Sequence, residues 1–287
     1  MKILVIGASG MIGSAVFRAL SNDNNFDTYG TLRNSRLKTF FSDKVLGNLI
    51  IIDDVEESDA LSLYIEGLLP DVIINCVGLT KHRPEAQNAI SLIALNSLLP
   101  HRLAALSKLI SARLIHVSTD CVFSGHKGSY VEDDFADAHD AYGKSKFLGE
   151  VHCLHAVTLR TSTIGHELQT KYGLLNWFLS QETQCRGFGR AVFSGLPTVV
   201  FAQIIKEIVI PHTRLSGLYH VGAKPINKFD LLKLISKLFK KNINIIRDDK
   251  LIIDRSLDST RFQLATGYIA PEWPDLINLM YQYENKD

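Results

Sequence analysis

Apolar residues recur along this chain with two periods, and the two periods alternate. Residues Lys2–Ile6 form a short continuous apolar run, as expected of a strand covered on both faces. Met11, Ile12, Ala15, Val16, Ala19 and Leu20 then fall along one face of a helix. The cycle repeats with strands at 28–32 and 49–52, a helix at 60–69 and a strand at 71–75. A long helical stretch at 84–110, a strand at 113–118, a helix at 141–154 and a sixth strand at 156–160 follow. Pro100 should kink or restart the long helix, because it has no N–H to give the preceding turn. Such alternation implies a parallel sheet wound by right-handed crossovers, with helices on both faces. Beyond Thr161 the rhythm loosens into helical pieces at 173–180, 199–208, 228–239 and 273–283, with one strand at 217–221. The expected architecture is a doubly wound domain over 1–160, also receiving the helix around 198–210, and a smaller C-terminal α/β lobe over 161–287.

Composition narrows the function classes. The AVILMFWYC set makes up 46% of the 287 residues and charged residues 21%, enough to build a core and too apolar for a disordered chain. Thirty-one Lys and Arg against thirty Asp and Glu leave a formal charge of +1. No overall field therefore draws the chain to nucleic acid or to an anionic membrane, and any anion site must be local. Cys76, Cys121, Cys153 and Cys185 are widely spaced, with no CxxC pair and no Cys/His set at metal-ligand spacing. No metal is expected, and a reduced, cytoplasmic setting fits these thiols. No apolar run approaches the roughly 18 residues needed to span a bilayer, and the opening MKILVIGASG meets glycine too early for a signal segment.

Chemistry first shows itself at the first strand-to-helix turn. Gly7-Ala8-Ser9-Gly10-Met11-Ile12-Gly13 has the GxxGxxG spacing that permits a tight turn and lets backbone amides approach a pyrophosphate at a helix N-terminus. In an alternating chain this predicts a Rossmann-like dinucleotide fold, with Gly7, Ser9, Gly10, Met11, Ile12 and Gly13 at the cofactor. Arg33, after the second strand, stands where NAD-preferring proteins place a carboxylate on the ribose, so NADPH is favoured and NADH is the alternative. Asp54, next to Asp53 after the third strand, is a candidate for the adenine amine, a strand-ending turn being the other reading. Cys76, Val77 and Gly78 end the fourth strand on the ligand side of such a sheet, where Gly78 admits the cofactor ribose.

Tyr142 and Lys146 form a YxxxK pair one helical turn apart, so both reach one cleft. An adjacent ammonium should lower the phenol's pKa and so suit Tyr142 to proton transfer. Ser118-Thr119, at the end of the fifth strand, offers a hydroxyl to orient a substrate carbonyl.

Together these segments resemble the extended short-chain dehydrogenase/reductases, and among them the dTDP-4-dehydrorhamnose reductase family. The likeness rests on GASGMIG, DVIIN at 71–75, IHVSTDCVFSG at 115–125, YGKSK at 142–146 with Gly149-Glu150, LRTS at 159–162 and GLYH at 217–220. It implies NADPH-dependent reduction of the 4-keto group of a nucleotide-linked deoxysugar, with Thr119, Tyr142 and Lys146 catalytic. Asn96 matches the family's helix asparagine that helps place the lysine, and 161–165, with Thr163, should lie along the nicotinamide. The resemblance further implies a nucleotide-sugar partner and a polysaccharide pathway; a homodimer is the assembly left open.

Departures from the family are local. Cys121 replaces the family tyrosine, supplies no carboxylate pair for a dehydratase, and coincides with the epimerising cysteine of GDP-fucose synthases, with His166 as its candidate partner. That makes a bifunctional epimerase/reductase one alternative. A non-catalytic cofactor-binding regulator, like the regulatory subunit of methionine adenosyltransferase, is another. Arg186 and Arg255 are the favoured candidates to clamp a substrate diphosphate, ahead of Arg190 and Arg261. Lys81, with His82 and Arg83, is a further candidate at the substrate border.

Overall fold

The computed structural model describes residues 1–55, 59–80 and 84–284. Its first half runs β1 (Lys2–Ile6), α1 (Met11–Ser21), β2 (Asp27–Leu32), β3 (Leu49–Ile51), α2 (Asp59–Leu68), β4 (Val72–Asn75), α3 (Ala89–Leu92), α4 (Leu99–Leu109), β5 (Arg113–Thr119), α5 (Ala141–Leu148) and β6 (Ala156–Thr161). The second half adds β7 (Thr163–Ile164), α6 (Leu174–Leu179), β8 (Gln184–Phe188), β9 (Ala191–Phe193), β10 (Leu196–Pro197), α7 (Thr198–Ile204) and β11 (Gly217–His220). It closes with β12 (Ile226–Asn227), α8 (Lys228–Leu238), β13 (Asn244–Asp248), β14 (Ile253–Asp254), α9 (Thr260–Thr266) and α10 (Trp273–Glu284).

Seven parallel strands in the order β11-β6-β5-β4-β1-β2-β3 form the central sheet. The order reverses between β1 and β4, and open sheets of this kind bind ligands beyond the carboxyl ends of the strands at such a reversal. Apolar side chains cover both faces. One cluster joins Ile3, Val5 and Val117 to α1, α7 and α10, and the other joins Leu4, Ile6 and Leu114 to Leu61 and Leu103. This is the doubly wound, Rossmann-like α/β fold. The strand β11, which the sequence pattern groups with the second half, pairs with β6 in this sheet. Three small sheets, β10-β7, β12-β9-β14 and β13-β8, make up the rest of the carboxyl-terminal half.

Two helices differ from expectation. The long helix persists through Pro100 by widening into a π turn at Ile93–Leu98 and restarting at Leu99. Proline has no N–H for the carbonyl of Asn96, and the wider turn absorbs the loss. By length and composition alone, Ala89–Leu109 would suffice to cross a membrane, against the expectation that no apolar stretch reaches that size. Asn96 and Ser97 on it are buried and hydrogen-bond to Ser145 of α5, as in a helix packed within a folded body. The other helix, α5, stops at Leu148 rather than 154, with Gly149 as its C-cap packed against the Asn96 carbonyl, where a Cβ would collide.

Candidate active site

The glycine turn is built by close approach. Gly7 has φ +82°, a conformation that side chains disfavour, and a Cβ there would also press on Val77. Its N–H donates to Thr31 Oγ1 at 3.0 Å, and Ala8 N–H to Thr31 O at 3.0 Å, which ties the turn to β2. A Cβ on Gly13 would collide with the Gly7 carbonyl oxygen. Gly13 therefore serves by bringing α1 close and does not line the clefts.

Two clefts open at the carboxyl ends of the strands. The smaller, about 130 Å³, is lined by Gly7, Ser9, Gly10 and Arg33 together with Ile52, Val55 and Gln169. The larger, about 410 Å³, is lined by Met11, Ile12, Thr119, Cys121, Tyr142, Lys146, Thr163 and Arg255 among others. Cys76, Val77 and Gly78 belong to both and join them. Asp54 lines neither and is exposed, because β3 ends at Ile51 and the chain then turns with Asp53 Oδ1 accepting from Asp54 N–H at 3.1 Å. The adenine contact expected of Asp54 is not supported, and Ile52 and Val55 supply apolar lining instead.

Asp140 starts α5 by accepting from Gly143 N–H at 2.6 Å, and Gly143 lets the helix start close on the Cys121 carbonyl, where a Cβ would collide. Tyr142 and Thr119 are thereby brought into one cleft. Thr119 Oγ1 accepts from Cys121 N–H at 3.1 Å and donates to Asp120 Oδ1 at 3.2 Å. Lys146, 4% exposed, donates to Val117 O at 2.9 Å.

The acidic phenol expected from the sequence is not what the structure provides. Burial pushes Tyr142 up from its ordinary value, the Cys121 and Asp120 charges add to this, and only Thr119 beside it acts the other way. Burial decides the balance, and Tyr142 is held as a neutral phenol. Lys146 is itself pushed down to about 8 by burial, against the opposing influence of Glu150 and Cys76. Burial likewise raises the Asp120 carboxyl, with Arg255 pulling it back.

Asn96 does not reach the cleft. It is fully buried, with Oδ1 accepting from Leu79 N–H at 2.8 Å and Nδ2 donating to Leu79 O and to Ser145 Oγ, each at 3.0 Å. The catalytic place expected for it is corrected to a structural tie between the β4 loop and α5. Arg255 lines the larger cleft, donating to Phe123 O at 2.8 Å and to Cys121 Sγ at 3.6 Å. His166 lies outside both clefts, with its ring 6.3 Å from that of Phe239, whereas its expected partner Cys121 lines the larger one. Arg186 is on β8, its side chain 74% exposed and 3.5 Å from Asp248, because alternation on that strand turns it outward. It is not at the cleft. Lys81, with His82 and Arg83, lies outside the described residues. Among the described residues no group of His, Cys, Asp and Glu could hold a metal.

Sequence reasoning missed Gln169, Glu167, Tyr172 and Lys228, all of which line the clefts. They come from loops and a helix start of the second half, where no periodic pattern marks them. Asp120 also lines the larger cleft, and its position directly after the strand-end hydroxyl of Thr119 is the signal that marks it.

The model of the RmlD substrate binding domain family matches residues 1–249. The chain belongs to that family. Among its curated relatives, the RmlD-family chain is 34% identical to methionine adenosyltransferase 2 subunit beta of Danio rerio over 173 residues, 58% of this chain and 49% of that protein. It thus spans about half the length of that relative. The dTDP-4-dehydrorhamnose reductase of Aggregatibacter actinomycetemcomitans is 25% identical over 297 aligned residues, 95% of each chain. Among solved structures, the dTDP-4-dehydrorhamnose reductase of Bacillus anthracis in complex with NADP superposes with a TM-score of 0.80 at 19% identity, covering 98% of this chain and 99% of that one. That likeness establishes the RmlD-family fold.

Proposed function

We propose that this chain is an NADPH-dependent oxidoreductase that reduces the 4-keto group of a nucleotide-linked deoxysugar. One observation carries the reading: Thr119, Tyr142 and Lys146 line a single cleft that runs, through Cys76–Gly78, into the groove beside the glycine turn. The residues fit a dinucleotide. Gly7 and Gly10 leave bare backbone along the small groove, Gly78 does so at the join, and among the described residues no acidic side chain lines that groove beside Arg33. Ser9 and Arg33 would meet the phosphates, Met11 and Ile12 the middle of the cofactor, and Thr163 and Lys146 its nicotinamide end. Relatives that act on dTDP-4-dehydrorhamnose, and one crystallised with NADP, support the same assignment.

NADPH supplies the hydride when bound. Tyr142, held neutral, donates its proton to the alkoxide oxygen as charge develops there. The Thr119 hydroxyl turns its hydrogen from Asp120 to the same oxygen. Lys146, anchored on Val117 O, keeps further N–H donors for the cofactor ribose. Arg255 and Lys228, both on the cleft wall, offer cations to a substrate diphosphate. A reducing, cytoplasmic setting is part of the same proposal, and the four free thiols support it.

The test is NADPH oxidation with dTDP-4-dehydro-6-deoxysugars. Turnover supports the reductase. NADPH binding without turnover across a panel of such ketones would overturn it in favour of a non-catalytic regulatory subunit, the reading favoured by the 34% identity to the methionine adenosyltransferase subunit.

Two further outcomes are expected. Replacing Arg33 with Ala should weaken NADPH binding and leave NADH nearly unchanged, since only NADPH carries the ribose phosphate; equal losses would remove that argument. NADPH affinity should fall as pH rises through about 8, where Lys146 loses its charge in the folded protein. Titration of cofactor fluorescence checks this, and Lys146→Met should abolish that limb.

A further inference from the structure

Between Leu114 and Val117 the buried part of β5 is apolar except at His116, which is fully shielded from solvent. Asn75 Oδ1 accepts from Val77 N–H at 3.0 Å, so the amide of the same side chain faces His116 Nδ1 at 3.2 Å. An amide nitrogen only donates, so Nδ1 is the acceptor and the ring hydrogen sits on Nε2. Nε2 makes no hydrogen bond to the described residues. A buried N–H without a protein partner is a cost that an aliphatic residue would avoid, and a polar residue kept at that cost calls for a reason. Burial, helped by the nearby Lys146 charge, also keeps the imidazole well below its usual range, so that it remains a neutral acceptor.

We infer that His116 is a positioning residue for the dinucleotide: by accepting from Asn75 it orients the amide that holds Val77 N–H, and so sets the backbone of Cys76–Gly78. That segment is the wall common to both clefts. The next peptide does the equivalent for the active-site amine, since Val117 O takes the hydrogen bond of Lys146 Nζ. Two consecutive residues of β5 thus register the cofactor wall and the lysine against each other. A Cβ at Gly78 would lie 3.7 Å from Lys146 Nζ, which shows how closely the two are set.

The inference rests on the NADPH reading above, and three variants test it separately. His116→Asn keeps an acceptor where Nδ1 stood, His116→Gln moves its amide to the Nε2 position, and His116→Phe keeps only the bulk. NADPH binding is read by cofactor fluorescence, alongside thermal melting and the steady-state constants. Wild type and His116→Asn should bind alike. His116→Gln and His116→Phe should lose roughly tenfold in NADPH affinity and show a similar rise in KM for NADPH, with kcat at saturation little changed. If His116→Phe does not fold, the Asn and Gln pair decides. Equal affinity in that pair, or wild-type affinity in His116→Phe, overturns the inference alone. A wild type that binds no NADPH sinks the dinucleotide reading itself, and the inference with it.

Discussion

Replacing Tyr142 with phenylalanine is expected to lower kcat by roughly 10²- to 10⁴-fold, the usual contribution of a positioned general acid. NADPH affinity should stay near wild type, because the ring and its packing remain and only the hydroxyl is lost. The expectation follows from the state of the phenol. Burial holds it protonated, and reduction needs a proton delivered to a new alkoxide. A phenolate would have suited the reverse, oxidative direction. Single-turnover measurement of NADPH consumption checks the chemical step apart from product release. A variant that retains turnover would show that some other group delivers the proton.

The second large effect concerns stability. Arg160, 2% exposed, donates to both oxygens of Glu150, from Nε to Oε1 at 2.7 Å and from Nη2 to Oε2 at 2.6 Å. Ser118 Oγ also donates to Glu150 Oε1 at 2.7 Å, one residue before Thr119. The guanidinium packs over Phe123 at 5.1 Å and meets His220, whose imidazole is pushed down to about 3 by burial and by the Arg160 charge. Glu150→Ala leaves that cation without its counter-charge and should cost about 3–5 kcal/mol, read as a shift in the urea midpoint. The double variant Glu150→Leu/Arg160→Met removes both charges and should cost less. Equal losses would mean that the pair itself, rather than the unpaired charge, carries the stability.

What the sequence made legible was short-range and periodic. Alternating apolar periods gave the parallel sheet, and GASGMIG and YGKSK sit at fixed offsets from a strand end and a helix start. Thr119, Tyr142 and Lys146 stand out by those offsets, and the structure brings all three to one cleft. What it hid depends on where the chain goes afterwards. The charge state of Tyr142 is decided by burial, which no local pattern records. Asp54 and Arg186 bear suitable groups, but a strand that ends at Ile51 and the outward phase of β8 turn them away. Asn96 spends its hydrogen bonds on Leu79 and Ser145. Gln169 reaches the small groove from a loop far along the chain, and nothing in its neighbourhood announces it.

The pairing of β11 with β6 bears on how the chain can be synthesised and dissected. A ribosome that has released only the first 160 residues has a sheet whose β6 border still offers open amides and carbonyls, while the apolar side of α1 still lacks α7. Such bare borders invite association between nascent copies. Proteolytic or genetic excision at that point would yield a sticky fragment, so nucleotide-binding studies need the polypeptide to extend at least through His220.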